Sequence, residues 1–201
     1  MAQCGANPLS PDPSAQRTPQ VALKATIYKV GLQIADMDRN HYAEHALTLA
    51  RHPSETDERM MARVLMYALN AQEGIAFTRG LSEADEPEIW VKDLTGQITL
   101  WIDIGQPDEV RLRKACGRAG QVIALCHSSS CELWWKQIES KLTHLTNLTV
   151  LQLPVTGGQA LAALAERTMR LQCLVQDGDV WMSSDTQRNH VELKTLKAPQ
   201  R

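Results

Sequence analysis

Residues 98–119 read ITLWIDIGQPDEVRLRKACGRA, and this stretch decides the fold class. Its first half is a strand: Leu100, Ile102 and Ile104 share one face, while Trp101 and Asp103 share the other. Gly105 and Pro107 close the strand, and Pro107 opens a helix running to about Ala119. The run VIALC (122–126) then reads as a buried strand, Ser130 to Leu142 as a helix and LTVLQL (148–153) as a further strand. From Ile98 onward the order is therefore β-α-β-α-β. The expected class is α/β, a mixed central sheet flanked by helices on both faces.

Upstream, LKATIYKVGLQIAD (23–36) and Tyr42 to Leu49 alternate in strand fashion around the turn-rich DMDRN, which predicts a hairpin. Pro53-Ser54-Glu55-Thr56-Asp57 predicts a helix start capped by Ser54, with the helix reaching about Asn70. A weak strand over 75–77 and an acidic segment over 82–88 precede a hairpin made by EIWVKD and QITLWIDIG around Leu94-Thr95-Gly96. A short helix is expected after Gly157-Gly158. The tail from Met169 is strand-like, with Asp177-Gly178 as its turn.

Length and charge bound the rest. The 201 residues fit one domain, expected over 21–197, after a Pro-rich disordered extension at 1–20 and before a tail at 198–201. With 21 basic against 23 acidic residues the net charge is −2, which excludes a uniformly basic nucleic-acid glove. No apolar run approaches a membrane span, and residues 1–20, which lack a basic start followed by an apolar stretch, are not expected to be a secretory signal. Five scattered cysteines without a CxxC fit a reduced cytoplasm, not a disulfide framework or a structural zinc site, and Cys126 and Cys131 read as small core or loop residues.

Two acids stand out. Glu58 lies within about 60° of Met61, Ala62, Leu65 and Leu69 on a helical wheel, so it sits on the apolar face, where an unpaired carboxylate is costly. Reaching the helix N-terminal amides or a nearby arginine is the structural alternative. Asp103 ends a largely apolar strand, where open α/β sheets place reacting groups; capping the next turn is its plain alternative. The helix beyond carries Arg111, Lys114 and Arg118 as a basic stripe, which is either a solvated face or a nucleic-acid contact.

Glu58 on a first helix, Pro87-Glu88 at a strand and Asp103 across a hairpin follow an order that resembles the PD-(D/E)xK nuclease superfamily, the restriction endonuclease-like fold. Two carboxylates on adjacent strands can share a hard cation, Mg²⁺ or Mn²⁺, that polarises a phosphodiester and activates water. Gly105 stands where that superfamily places its lysine, so Lys114, with Lys92 second, is the displaced candidate. The stretches HALTLARHPSETDERMMARVL (45–65) and LWIDIGQPDEVRLRKACGRA (100–119), with Trp134-Trp135, resemble the YaeQ family of small bacterial proteins from about Val21 to Lys197. That resemblance implies a restriction endonuclease-like core with extra β-hairpins and a site of Glu58, Glu88, Asp103 and Gln106 with Lys114. Glu58, Glu88 and Asp103 would be the metal ligands, and Arg111, Lys114 and Arg118 the nucleic-acid contacts.

Other features carry less. On a helix reading of WWKQI, one of Trp134 and Trp135 is expected in the core and the other as a partly covered surface ring, with base stacking as the alternative. His41, His45 and His52 lack a coherent ligand geometry. Ser128-Ser129-Ser130 lacks the Gly-x-Ser-x-Gly elbow. The expected function is a metal-dependent phosphodiesterase acting on DNA or RNA, in a monomeric cytoplasmic protein that touches no membrane. A catalytically inactive nucleic-acid-binding or transcription-associated module, and a protein-interaction scaffold, are the alternatives.

Overall fold

The computed structural model describes residues 25–78 and 85–200. The expected extension at 1–20 and residues 82–84 of the acidic segment therefore lie outside the described residues. Two long strands, β1 (Thr26–Asp36) and β2 (His41–Arg51), form the hairpin expected from their alternation, with Tyr28, Val30, Leu32 and Ile34 buried on one face. Asn40 ends the turn with φ 52°, in the left-handed region that Asn tolerates. Helix α1 (Asp57–Leu69) follows, and then the short β3 (Ile75–Phe77). The central unit is β4 (Ile89–Lys92), β5 (Ile98–Ile104), α2 (Glu109–Arg118), β6 (Ala119–Cys126), α3 (Cys131–Ile138), β7 (Leu148–Gln152) and α4 (Val155–Ala162). The chain finishes with β8 (Thr168–Gln176), β9 (Asp179–Ser183), β10 (Arg188–Val191) and β11 (Lys194–Lys197).

The strands form two sheets where the sequence suggests one central sheet. One has the order β10-β9-β8-β1-β2 and the other β11-β7-β6-β5-β4-β3. The division arises because β8 returns parallel to β1, Lys29 opposite Thr168, instead of extending the sheet that holds β5, β6 and β7. Both sheets are mixed: β5, β6 and β7 run parallel, and β4 joins β5 antiparallel.

Helix α1 lies between the sheets. Every residue from Met60 to Ala68 is buried, and they share one core with β1, β8 and the Leu100–Ile102–Ile104 face of β5. The opposite face of β5 and β6, with Trp101, Val122 and Ala124, packs under α2 and α3 on Leu112, Ala115, Trp134 and Trp135. The tryptophan pair is thus core, and Trp134 also donates its Nε1–H to the Pro107 carbonyl at 3.1 Å.

Local starts differ from the sequence reading. Thr56, not Ser54, caps α1: its hydroxyl accepts from the Arg59 amide at 3.3 Å, while Ser54 pairs with His52. Helix α4 begins at Val155, so Gly157-Gly158 lies inside it; a side chain at Gly157 would crowd Leu153, while Gly158 faces the stem of Glu58. No helix among the described residues is long and apolar enough to cross a membrane.

Leu65 is fully buried in the core between the sheets. Leu65→Ala is expected to lower the unfolding free energy by about 2–5 kcal/mol in urea titrations, because a rigid two-sheet enclosure collapses poorly around a cavity.

Candidate active site

The carboxyl ends of β5 and β6 and the N-terminal turn of α1 meet around a group of buried acids. Glu55, Glu88 and Asp103 are all buried, together with Arg63. Each acid is held by arginine. Glu55 accepts from Arg59 at 2.9 Å and from Arg63 at 3.1 Å. Glu88 accepts from Arg59 through Oε1, and its Oε2 lies 3.6 Å from the Arg63 Nε. Arg59 also donates to the Ile104 carbonyl at 3.3 Å, which ties α1 to the end of β5. The spacing explains the arrangement: Arg59 and Arg63 are one turn apart on α1, and Glu55, just before the Thr56 cap, lies within reach of both.

Asp103 has a separate partner. Arg111 forks onto both its oxygens at 2.8 and 2.7 Å and reaches the Glu86 carbonyl at 2.7 Å. That bidentate bond to Asp103 raises the Arg111 pKa, against an opposing effect of burial. Ile89 opposite Ile102 sets Glu88 at the level of Asp103 on the neighbouring strand, and the Glu88 amide bonds the Ile102 carbonyl at 2.9 Å. The two strand carboxylates of the sequence reading are therefore brought to one level of the sheet, each with its own guanidinium.

The other expected residues stand around this pair. Glu58 is half-buried on α1, its aliphatic stem against Gly158 of α4. Among the described residues no three His, Cys, Asp or Glu side chains gather as a metal-holding group, so Glu58 is not drawn into a cluster with Glu88 and Asp103. Gln106 donates to Ser128 and Ser130, each at 2.9 Å, and so bridges the loop after β5 to the loop after β6. Lys114 pairs with the exposed Asp85, whose pKa it lowers by hydrogen bonding and charge. Arg118 reaches the Asp85 carbonyl at 3.4 Å. The stripe Arg111, Lys114 and Arg118 thus fastens the 85–86 backbone as well as presenting charge. Lys92 lies over the Trp90 ring, 3.5 Å from its centroid.

Four groups escape the sequence reading. Glu55, Arg59 and Arg63 form the i, i+4, i+8 row across the start of α1, a spacing visible in the sequence but overshadowed by Glu58. His127, just past β6, is the fourth. Burial first, and then the Arg59 charge, lower its pKa, while Glu58 and Glu55 act in the opposite sense. Cys126 and Cys131 also depart from expectation, because a disulfide joins them across the turn from β6 into α3. Two cysteines five positions apart, flanking the His-Ser-Ser-Ser turn, were the available signal; the turn brings their Cα atoms to 5.8 Å. Cys116 and Cys173 carry free thiols, pushed up to about 11 and about 12 by burial.

A sequence profile of the family described as "YaeQ protein" matches residues 21–193. The chain belongs to the YaeQ family. It is 45% identical over 180 residues to the Escherichia coli K12 protein called "Uncharacterized protein YaeQ", covering 89% of this chain and 99% of that one. It is 47% identical to the Salmonella typhi protein of the same name, with the same coverage. Among solved structures it is similar to YaeQ from Xanthomonas axonopodis pv. citri, with TM-score 0.84, 45% identity and coverage of 87% of this chain and 99% of that one. A second, from Pseudomonas syringae, gives TM-score 0.83 at 34% identity, covering 87% and 97%. This YaeQ-family chain thus shares both sequence and backbone with its relatives over nearly their whole length.

Removing one partner of a buried ion pair leaves an uncompensated charge. Arg59→Met is expected to cost about 3–5 kcal/mol by urea unfolding, since Glu55 and Glu88 both lose a partner. Lys194→Ala, which breaks the exposed pair with Glu132, should change stability by less than about 1 kcal/mol.

A second expectation concerns pH. The pKa values of His127 and His45 are lowered from 6.5, both chiefly by burial. Below 6.5 the unfolded chain binds protons that the folded histidines resist, so stability falls as pH drops from 6.5 through the folded values. The double variant His45→Gln/His127→Gln should flatten that slope in unfolding titrations; an unchanged slope would assign it to other groups.

Proposed function

We propose that this protein is a divalent-metal-dependent, nuclease-like phosphodiesterase on a variant PD-(D/E)xK core. The supporting observation is the placement of Glu88 and Asp103 at one level of adjacent strands, at the carboxyl end of the parallel part of the sheet. Ligands of open α/β sheets bind at that end. The donors fit Mg²⁺ or Mn²⁺: both are hard carboxylates, and Glu88 Oε2 is buried without a hydrogen bond. Glu88 and Asp103 would hold the ion; Glu58, which is not gathered with them, would reach it only through water. When bound, the ion would supply Lewis acidity toward a phosphoryl oxygen and an acidified water.

The chain's own residues then have defined parts. Arg59 and Arg111 neutralise the carboxylates at rest and are the guanidiniums nearest to an incoming phosphodiester, which they can bind bidentately. Burial and Arg59 hold His127 in its neutral form at neutral pH, in which one ring nitrogen accepts a proton. Gln106 keeps the two loops at the rim in register through Ser128 and Ser130. Lys114 lies at the rim beside Asp85, too engaged there to replace the motif lysine without moving.

A second reading has its own observation. The Arg111 fork fills both oxygens of Asp103, and Gly105 replaces the motif lysine, which favours a binding module without catalysis. One experiment separates the two. Single- and double-stranded DNA and RNA are incubated with the protein and Mg²⁺ or Mn²⁺, beside Glu88→Gln and Asp103→Asn. Cleavage that falls about 100-fold or more in both variants is the expected result. Cleavage surviving both would remove these carboxylates from the reaction. Salt-sensitive, divalent-independent binding without cleavage would establish the binding module instead.

A further inference from the structure

A broad surface cavity lies away from the carboxylates, on the outer face of the β10-β9-β8-β1-β2 sheet. It is an open groove of about 970 Å³, continued by a second of about 590 Å³ that shares Gln33, Glu44, Gln172, Ser184 and Asp185. Strand register defines its floor, because residues directly opposite one another share a face. Glu44 stands opposite Gln33, Gln33 opposite Gln172, Gln172 opposite Ser183 and Ser183 opposite Arg188. One polar row therefore crosses all five strands, a span of about 19 Å at roughly 4.8 Å per strand. The adjacent row runs Tyr42, Ala35, Leu174, Trp181 and His190, apolar in the middle and aromatic at both ends.

The side chains are arranged for contact. Gln33 donates to Glu44 at 2.7 Å, and Arg188 lies 4.6 Å above the Trp181 ring. The Tyr42 ring is 61% exposed. Gly31, Ala35 and Ala46 keep the floor low between the polar groups. The β9–β10 turn forms a prebuilt wall, with Ser184 bonded through its amide to the Gln187 carbonyl at 2.8 Å and through its hydroxyl to the amides of Thr186 and Gln187.

We propose that this groove binds a linear, uncharged oligosaccharide. The row combines a carboxylate that only accepts, a guanidinium that only donates and two amides that do both, all planar two-pronged groups suited to neighbouring hydroxyls. In the parallel row Tyr42, Ala35 and Leu174 line the groove and offer aromatic and aliphatic surface to the C–H faces of sugar rings. Charge decides against a nucleic acid: Glu44 and Asp185 balance Arg170 and Arg188, and Glu44 sits on the floor where a phosphate backbone would run. The site is independent of the carboxylate–arginine group and of any activity there.

The test is an NMR amide titration of the full chain with maltotetraose, cellotetraose and chitotetraose, beside a dT₁₀ oligonucleotide and a neutral tetrapeptide. At least one tetrasaccharide should shift Gln33, Glu44, Gln172 and Ser183, with affinity reduced about tenfold or more in Gln33→Ala/Gln172→Ala and in Tyr42→Ala. These substitutions lie on the solvent face, and an unchanged urea midpoint verifies the fold. No shift on this face at millimolar concentration of any saccharide overturns the proposal. So does a stronger response of the same amides to dT₁₀ or to the peptide.

Discussion

Buried carboxylates need partners, and this structure is organised around meeting that need at one end of a helix. Helix α1 is enclosed between two sheets, yet its first two turns carry Arg59 and Arg63 and follow directly on Glu55. Those charges are tolerated because they neutralise one another and Glu88, across the join between α1 and the edge of β4. Ions taken out of water without such pairing would destabilise the fold by several kcal/mol each. The pairing fixes where α1 stops being core and where a polar cleft can begin. Asp103 and Arg111 repeat the solution on the neighbouring strand.

The arginines give the cleft two states to choose between. At rest its buried acids and arginines balance one another. A phosphodiester competes for the guanidiniums, and a divalent ion competes for the carboxylates; binding both would exchange two internal ion pairs for contacts with ligand. In the proposed reading, that exchange would let one set of residues serve both stability and the nuclease-like chemistry. It also explains why a lysine at position 105 is not needed for charge balance. His127 adds a group held neutral by its burial and by Arg59, in a loop fixed by the Cys126–Cys131 bridge and by Gln106.

Much of the fold was legible because local chemistry and tertiary context agree. The β1–β2 hairpin, β5 and the helices after it follow directly from period-2 and period-3.6 patterns. The second sheet was hidden, since nothing local in Thr168–Gln176 says that it pairs with β1 more than a hundred residues earlier. Glu88 and Asp103 were legible as acids at strand ends, and register brings them level. Their arginine partners were not, because Arg111 reads as part of a surface stripe and the Glu55–Arg59–Arg63 row reads as an ordinary helix start. Glu58 drew attention through its place on the apolar wheel, but α1 is buried almost all round, so that face carries little information about which acid is central. The groove on the outer sheet was invisible beforehand, because its rows come from five strands scattered from Gln33 to Arg188.

The central claim is that Glu88 and Asp103 exchange their arginines for a shared divalent ion. Paramagnetic broadening of backbone amide signals during titration with Mn²⁺ reads this out directly. The result expected is broadening centred on Glu88, Asp103 and their neighbours at the end of β5, reversed by excess Mg²⁺. Broadening centred elsewhere, or none at millimolar Mn²⁺, would contradict it and leave the two acids as partners of arginine alone.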